Sequence, residues 1–190
     1  IFFDKQRVQL LEHGHFWLSE TPDKPALGWE AACIRICTWG KFIDRRSRRR
    51  FYFFNLHTDH VGVVARREGA RLVLERIRSM AGKTPVILTG DFNVDQTDET
   101  YAIITASGLL ADSYVQARMR FAENGTFNGY HQERFTTSRI DHVFVSPSFA
   151  VERYGILTNA YWAQQGDTIV RRLPSDHYPV FVHLAFQNEK

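Results

Sequence analysis

Ser175-Asp176-His177-Tyr178-Pro179 puts a carboxylate and an imidazole side by side at the mouth of a predicted strand, Val180 to Leu184. Such a pair offers a hard oxygen ligand and a proton-handling ring to one site. Three other stretches carry the same kind of chemistry: Asn55-Leu56-His57-Thr58-Asp59-His60, Gly90-Asp91-Phe92-Asn93 and Arg139-Ile140-Asp141-His142. Each lies where a predicted strand runs out into a loop, the usual place for sites on rigid scaffolds.

Asp91 and Asn93 leave an apolar run two positions apart. Strand alternation places both on one side. A carboxylate there can orient or deprotonate a water, and a carboxamide can donate to a developing oxyanion. The competing reading is a plain turn, because Gly, Asp and Asn are turn residues. His57 stands at the end of a strand as a phosphate contact, or as a half-buried capping imidazole. Asn55-x-His57-x-Asp59-His60 is also one residue away from the zinc motif of metallo-β-lactamase-type hydrolases, with Asn55 where the first His would be. A zinc ion would need His57 and His60 together, and asparagine is a poor zinc ligand.

Asp141 shares a face with Val143 and Val145. A carboxylate among apolar neighbours needs a partner. His177 is the candidate, since Arg139 faces the other way by alternation. Asp176 is then left for a cation. Together with Asp91 it forms a set of oxygens, without cysteine, that suits Mg²⁺ or Mn²⁺.

These residues need elements to position them. Val8–Leu18, Ala32–Phe42 and Phe51–Thr58 read as strands, the last two joined at an arginine-rich tip, and Ile1–Phe3 reads as a further strand. Ala70, Val73, Leu74, Ile77 and Ala81 form one apolar stripe, which predicts a helix from Gly62 to Ala81. Gly82 ends it. Val86–Leu88 is a buried strand, and Glu99–Ala106 a short helix. Residues 112–138 are irregular. Ile140–Val145 and Val151–Leu157 are strands, and 161–174 reads as a long loop. Hairpins with few helices predict an α/β sandwich whose outer faces are covered by helices.

At 190 residues with 44% apolar content, the chain is long enough for one domain with a real core. It has no run of about eighteen apolar residues to span a membrane. Its compartment is left open by the sequence. The formal net charge of +3 rests on Arg45, Arg46, Arg48, Arg49 and Arg50, without which it would be negative. The positive charge is therefore one patch and not a property of the whole fold: a solvated hairpin tip on the favoured reading, a phosphate-tracking patch on the other. Cys33 and Cys37 are read as buried thiols of one strand, roughly 13 Å apart and too far to bridge.

The four stretches occur in a fixed order: Asn-x-His-x-Asp-His, Gly-Asp-Phe-Asn, Arg-Ile-Asp, Ser-Asp-His-Tyr-Pro. In that order they strongly resemble the endonuclease/exonuclease/phosphatase superfamily. Phe16-Trp17-Leu18-Ser19-Glu20-Thr21-Pro22 and Arg35-Ile36-Cys37-Thr38-Trp39 look like its bacterial branch. The likeness runs from Phe2 to about Leu184. It implies a four-layer α/β/β/α sandwich (DNase I-like) and metal-dependent hydrolysis of a phosphate ester with Mg²⁺ or Mn²⁺. It implies Asp91 for the attacking water and Asn93 for the reacting phosphate. His177, paired with Asp141, would contact phosphoryl oxygens. His57 would contact phosphate or the leaving group, and Asp176 would lie by the metal. The substrate it implies is a phosphate ester in nucleic acid, a phospholipid head group or a sugar or inositol phosphate. Arg35 and Trp17 are the candidate substrate contacts, and no stable protein partner is evident. A catalytically silent binding module is the remaining alternative.

Two motifs of the family are missing here: an early Asn at the end of its first strand, and the Glu that is its principal metal ligand. The chain is therefore expected to be the C-terminal two-thirds or so of one domain. By itself it would have an open sheet edge and would bind Mg²⁺ weakly or not at all, which leaves its activity alone an open question. Any signal peptide, and with it export, would lie upstream of Ile1.

Overall fold

A computed structural model describes residues 1–187. The strands are β1 (Val8–Trp17), β2 (Ile36–Asp44), β3 (Arg50–His57), β4 (Val86–Asp91), β5 (Ala111–Asp112), β6 (Met119–Phe121), β7 (Asp141–Val145), β8 (Phe149–Ile156), β9 (Tyr161–Gln165), β10 (Thr168–Arg172) and β11 (Val180–Phe186). The helices are α1 (Val63–Ala81), α2 (Glu99–Thr105) and α3 (Ser113–Gln116). A six-stranded sheet runs β1-β2-β3-β4-β7-β5, and a three-stranded sheet runs β11-β8-β6. Strands β9 and β10 form a separate hairpin.

Helix α1 follows its apolar stripe: Ala70, Val73, Leu74, Ile77 and Ala81 are all buried. They pack with Phe16, Cys37, Phe54, Leu56 and Leu88 on one face of the large sheet. Gly82 closes the helix at φ 54°, a left-handed value that glycine adopts without strain. Helix α1 is also the crossover that lets β3 and β4 run parallel. In the middle of the sheet, Phe54 pairs in register with Leu88, and Leu88 with Phe144. All three have no exposed surface. Burying each such side chain contributes about 1.5–3 kcal/mol.

The other face of the large sheet meets the small one. Phe51, Ile87 and Val143 pack against Phe149, Val151, Val182 and Leu184. The predicted sandwich of two packed sheets is present. Among the described residues, the two longer helices both pack against the large sheet's core. Phe121 and Phe181, joined in one row through Gly155 of the small sheet, are exposed. No described helix is long and apolar enough to cross a membrane.

Four expectations are corrected. Residues 1–3 form no strand. Strand β2 begins at Ile36, not Ala32, because the backbone before it is drawn aside: the Cys33 N–H donates to the Asp59 carboxylate. Cys33 is accordingly exposed, and only Cys37 is a buried thiol. Residues 161–172 are a hairpin rather than a loop. Its strands are mostly exposed on both faces, so no apolar alternation marked them.

Register is what positions the chemistry. His57 at the end of β3 pairs with Asp91 at the end of β4. Asp91 in turn pairs with Asp141 at the start of β7. Three side chains from three segments are thus brought to one edge of one sheet. Gly90 makes this close pairing possible, because a Cβ there would lie 2.0 Å from the Leu56 carbonyl oxygen.

Candidate active site

A cavity of about 590 Å³ opens at that edge, lined by His57, Asp91, Asp141, Ser175 and His177 among others. The small sheet contributes His177, on the loop into β11. His177 Nδ1 and Asp141 Oδ2 are 2.7 Å apart, the pairing expected from the buried-carboxylate argument. Arg139 instead reaches Asp112, at 2.9 Å. The second nitrogen of His177 faces Asp91 Oδ2 at 3.8 Å, and His57 Nε2 lies 3.3 Å from the same oxygen. Asp91 therefore sits between two imidazoles.

Burial alone would lower the pKa of His177. The hydrogen bond and charge of Asp141, with Asp91 and Asp176, outweigh it and leave the imidazole raised above its ordinary value. His57 goes the other way. Burial lowers it, Asp91 only partly opposes this, and Arg35 and His177 add to the lowering. Burial also raises the Asp141 carboxyl, against the hydrogen bonds from His177 and Thr126. The two histidines of one cavity are thus pushed apart, the condition that lets one hold a proton while the other does not.

Asn93 reaches the site by a different route from the one expected. Strand β4 ends at Asp91, and Asn93 takes φ 50°, so alternation does not apply to it. The Asn93 N–H donates to Asp91 Oδ1 at 2.9 Å, and its Nδ2 donates to the Thr58 carbonyl at 3.0 Å. The turn and the site are the same object: the turn fixes the rotation of Asp91. Thr58 and Leu56 are buried, whereas His57 between them is exposed. Phe92 is buried against Phe144 and His142, which locks the segment from behind.

Asp91, Asp141 and His177 each bring a ligand atom within 4.8 Å of the others. The carboxylate oxygens, with no thiolate beside them, fit a hard divalent cation, which is commonly held by one or two carboxylates and completed by water and substrate oxygens; the His177 ring is already paired with Asp141 and is left to the substrate. Asp176, the other expected ligand, is not in that cluster. Its main-chain oxygen accepts from the Asn128 and Gly129 N–H groups, and Ser175 Oγ donates to its carboxylate at 3.3 Å. It acts on His177 through its charge. Trp17 stands near the start of β2, paired with Ile36, its ring 4.9 Å from His15 and outside the cavity lining.

His60 and His57 fall in different clusters. His60 Nδ1 is 3.2 Å from Arg35 Nη2 and lies beside Cys33 and Asp59. Arg35 therefore touches His60 and Asp59 rather than the cavity floor, and a zinc ion shared by His57 and His60 has no support in this geometry. Asp59 is occupied structurally: it accepts from the N–H groups of Cys33, Val61 and Gly62. Burial opposes its ionisation, but those backbone donors hold its carboxyl far below the ordinary range. A carboxyl depressed on folding stabilises above the unfolded pKa, near 3.9, and that contribution fades as pH falls further, through the folded value. Asp59→Asn is expected to cost about 2–3 kcal/mol at neutral pH. Its deficit in melting temperature should be constant from pH 5 to 8 and shrink below pH 4. An equal deficit at pH 3 and pH 7 would contradict this account.

Sequence reasoning missed the loop from Thr126 to Arg134. Thr126 Oγ1 accepts from the N–H groups of Ile140 and Asp141, and the Phe127 ring lies 5.1 Å from that of His177. The segment lacks periodicity, and only its Phe-Asn-Gly run, a turn signal, could have drawn attention to it.

The model of the Endonuclease/Exonuclease/phosphatase family matches residues 12–177. An endonuclease/exonuclease/phosphatase family protein of Bacteroides thetaiotaomicron superposes with a TM-score of 0.95 at 49% identity, covering 98% of this chain and 68% of that one. The mannosyl-6-phosphatase Bt3783 of Bacteroides thetaiotaomicron gives a TM-score of 0.93 at 49% identity, covering 97% and 69%. A curated relative, protein L388 of Acanthamoeba polyphaga mimivirus, is 29% identical over 189 residues; the match takes in 87% of this chain and 62% of that protein.

Proposed function

The chain belongs to the endonuclease/exonuclease/phosphatase family, and from that premise we propose that it serves a metal-dependent phosphatase acting on a sugar phosphate. The carrying observation is the Asp91 carboxylate held between His57 and the Asp141-paired His177, on the floor of one cavity. The sugar phosphate is favoured because a relative 49% identical is a mannosyl-6-phosphatase.

In this reading Asp91 accepts a hydrogen bond, then a proton, from a water aimed at phosphorus. The water oxygen forms the new P–O bond as the ester P–O bond breaks, and the leaving alkoxide takes a proton from solvent water at the cavity mouth. His177, kept protonated by Asp141, donates from Nε2 to a phosphoryl oxygen, so a cation meets the charge that builds there. His57 stands on the opposite side of Asp91, near the leaving oxygen. Asn93 retains one amide N–H for the phosphate, the other being spent on Thr58. A Mg²⁺ or Mn²⁺ ion on Asp91 and its neighbours would neutralise the phosphoryl oxygens further.

The test is release of inorganic phosphate from a hexose 6-phosphate and hydrolysis of a simple phosphodiester, with Mg²⁺, Mn²⁺ or Zn²⁺ added in turn. Monoester hydrolysis is expected only at Mg²⁺ or Mn²⁺ concentrations high enough to fill a weak site, in keeping with the absence of the family's metal-binding Glu from this chain. Cleavage of the diester alone would overturn the sugar-phosphatase reading. Activity with Zn²⁺ alone would overturn the hard-cation reading.

A further inference from the structure

The loop missed in the sequence holds a guanidinium with no assigned task. Arg134 Cζ lies 5.0 Å from the centre of the Phe127 ring, and that ring is in contact with His177. The Phe127 ring stands between this cation and the imidazole of the site, so the guanidinium lies beyond the cavity lining, one ring outside its rim. Unlike Arg118 and Arg139, Arg134 has no carboxylate within ion-pair distance among the described residues. Arg134 is exposed.

The position is built rather than accidental. The N–H groups of Asn128 and Gly129 donate to the Asp176 carbonyl at 2.8 and 3.0 Å. Asn128 is fully buried, and its Nδ2 donates to the Ser175 carbonyl. Gln132 Nε2 donates to the Arg171 carbonyl at the base of the β9–β10 hairpin. The loop is thereby tied to the residues flanking His177. Gly129 and Tyr130 take φ 60° and 62° in succession, turning the chain back so that Arg134 folds over Phe127. A Cβ on Gly129 would come within 3.3 Å of Arg134 Nη1, so glycine here leaves room for the guanidinium as well as permitting the turn. Stacking on an aromatic face fixes a guanidinium while leaving its N–H edge free to donate.

We propose that Arg134 is a substrate-binding residue that takes a phosphate oxygen of the substrate from the loop side of the cavity. The inference rests on the phosphatase reading, since it names a second recognition element of the same site. The oxygen can come from the reacting phosphoryl group or from a second phosphate on the same substrate. Bidentate capture of a phosphate is what a planar guanidinium does best.

The test compares wild type with Arg134→Gln on a hexose 6-phosphate and on a hexose bisphosphate. Arg134 is exposed, so the melting temperature is expected to stay unchanged. A roughly tenfold rise in KM is expected, the loss of one charge-assisted contact. A rise for both substrates assigns the contact to the reacting phosphoryl. A rise for the bisphosphate alone assigns it to the second phosphate. No change in KM for either substrate would overturn the proposal. Calorimetric titration with inorganic phosphate and with the bisphosphate keeps the two readings separable. Weaker binding of either anion by Arg134→Gln supports the subsite even if no ester is hydrolysed. Equal affinities for both anions count against it even if the enzyme is a phosphatase.

Discussion

His177→Ala is expected to lower kcat by about 10²–10⁴-fold, the usual contribution of a positioned proton-handling group, while the fold survives. The side chain is partly exposed, and its ring makes one side-chain hydrogen bond, to Asp141, besides packing on Phe127. Removing it takes little from either hydrophobic core. Asp141→Asn tests the pair from the other side. It keeps the shape but deletes the carboxylate that does most to raise His177, so the imidazole's pKa should fall. At pH 7 less of the protonated form remains, and the alkaline limb of the rate profile should move to lower pH. A loss of about 10–100-fold is expected for such a supporting partner. Imidazole titration by NMR in the two proteins reads the shift directly. Turnover by His177→Ala near the wild-type level would remove this residue from the chemistry and leave a silent binding module as the better account.

The parts that were legible in advance share one property: they follow from periodicity or from the cost of burial. The apolar stripe of α1 needed only its 3.6-residue repeat. The Asp141–His177 pair followed from a carboxylate placed among valines, which demands a partner, and the structure supplies it at 2.7 Å. Where the structure differs from that reading, either the decisive contact is long-range or the segment carries no apolar pattern. Asn93 was assigned to the site by strand alternation, but β4 stops two residues earlier and a bond to Thr58 sets its side chain. Asp176 follows Ser175, whose hydroxyl donates to its carboxylate, and its charge acts on His177 next to it. The β9–β10 hairpin is exposed on both faces, so the sequence had no apolar alternation to carry. The loop that holds Phe127 and Arg134 is organised by hydrogen bonds to a segment nearly fifty residues away, such as Asn128 to Ser175. No local reading could have found these contacts.

The second large effect lies behind the site, at Asp112. Its carboxylate is almost wholly buried and accepts from Arg139 Nη1 and from the Tyr101 hydroxyl, each at 2.9 Å. Its other oxygen accepts from the Tyr114 N–H and starts α3. The guanidinium of Arg139 lies 3.8 Å from the centre of the Tyr114 ring. Burial, followed by the charge of Asp112, pushes the Tyr101 phenol up to about 12, so it stays a donor throughout the useful pH range. Asp112→Ala strands a buried cation and is expected to cost about 3–5 kcal/mol in urea unfolding. Part of that loss should reach the site, because Arg139 stands two residues before Asp141 and its N–H is held by Gln96. Replacing both charges, Asp112→Leu with Arg139→Met, removes the unpaired cation and is expected to recover most of the stability. It cannot restore the hydrogen bonds that fix the approach to β7, so activity should remain depressed while the fold recovers. A cost below 1 kcal/mol for Asp112→Ala would mean that water reaches Arg139 in the variant, and the pair would then not be what aligns Asp141.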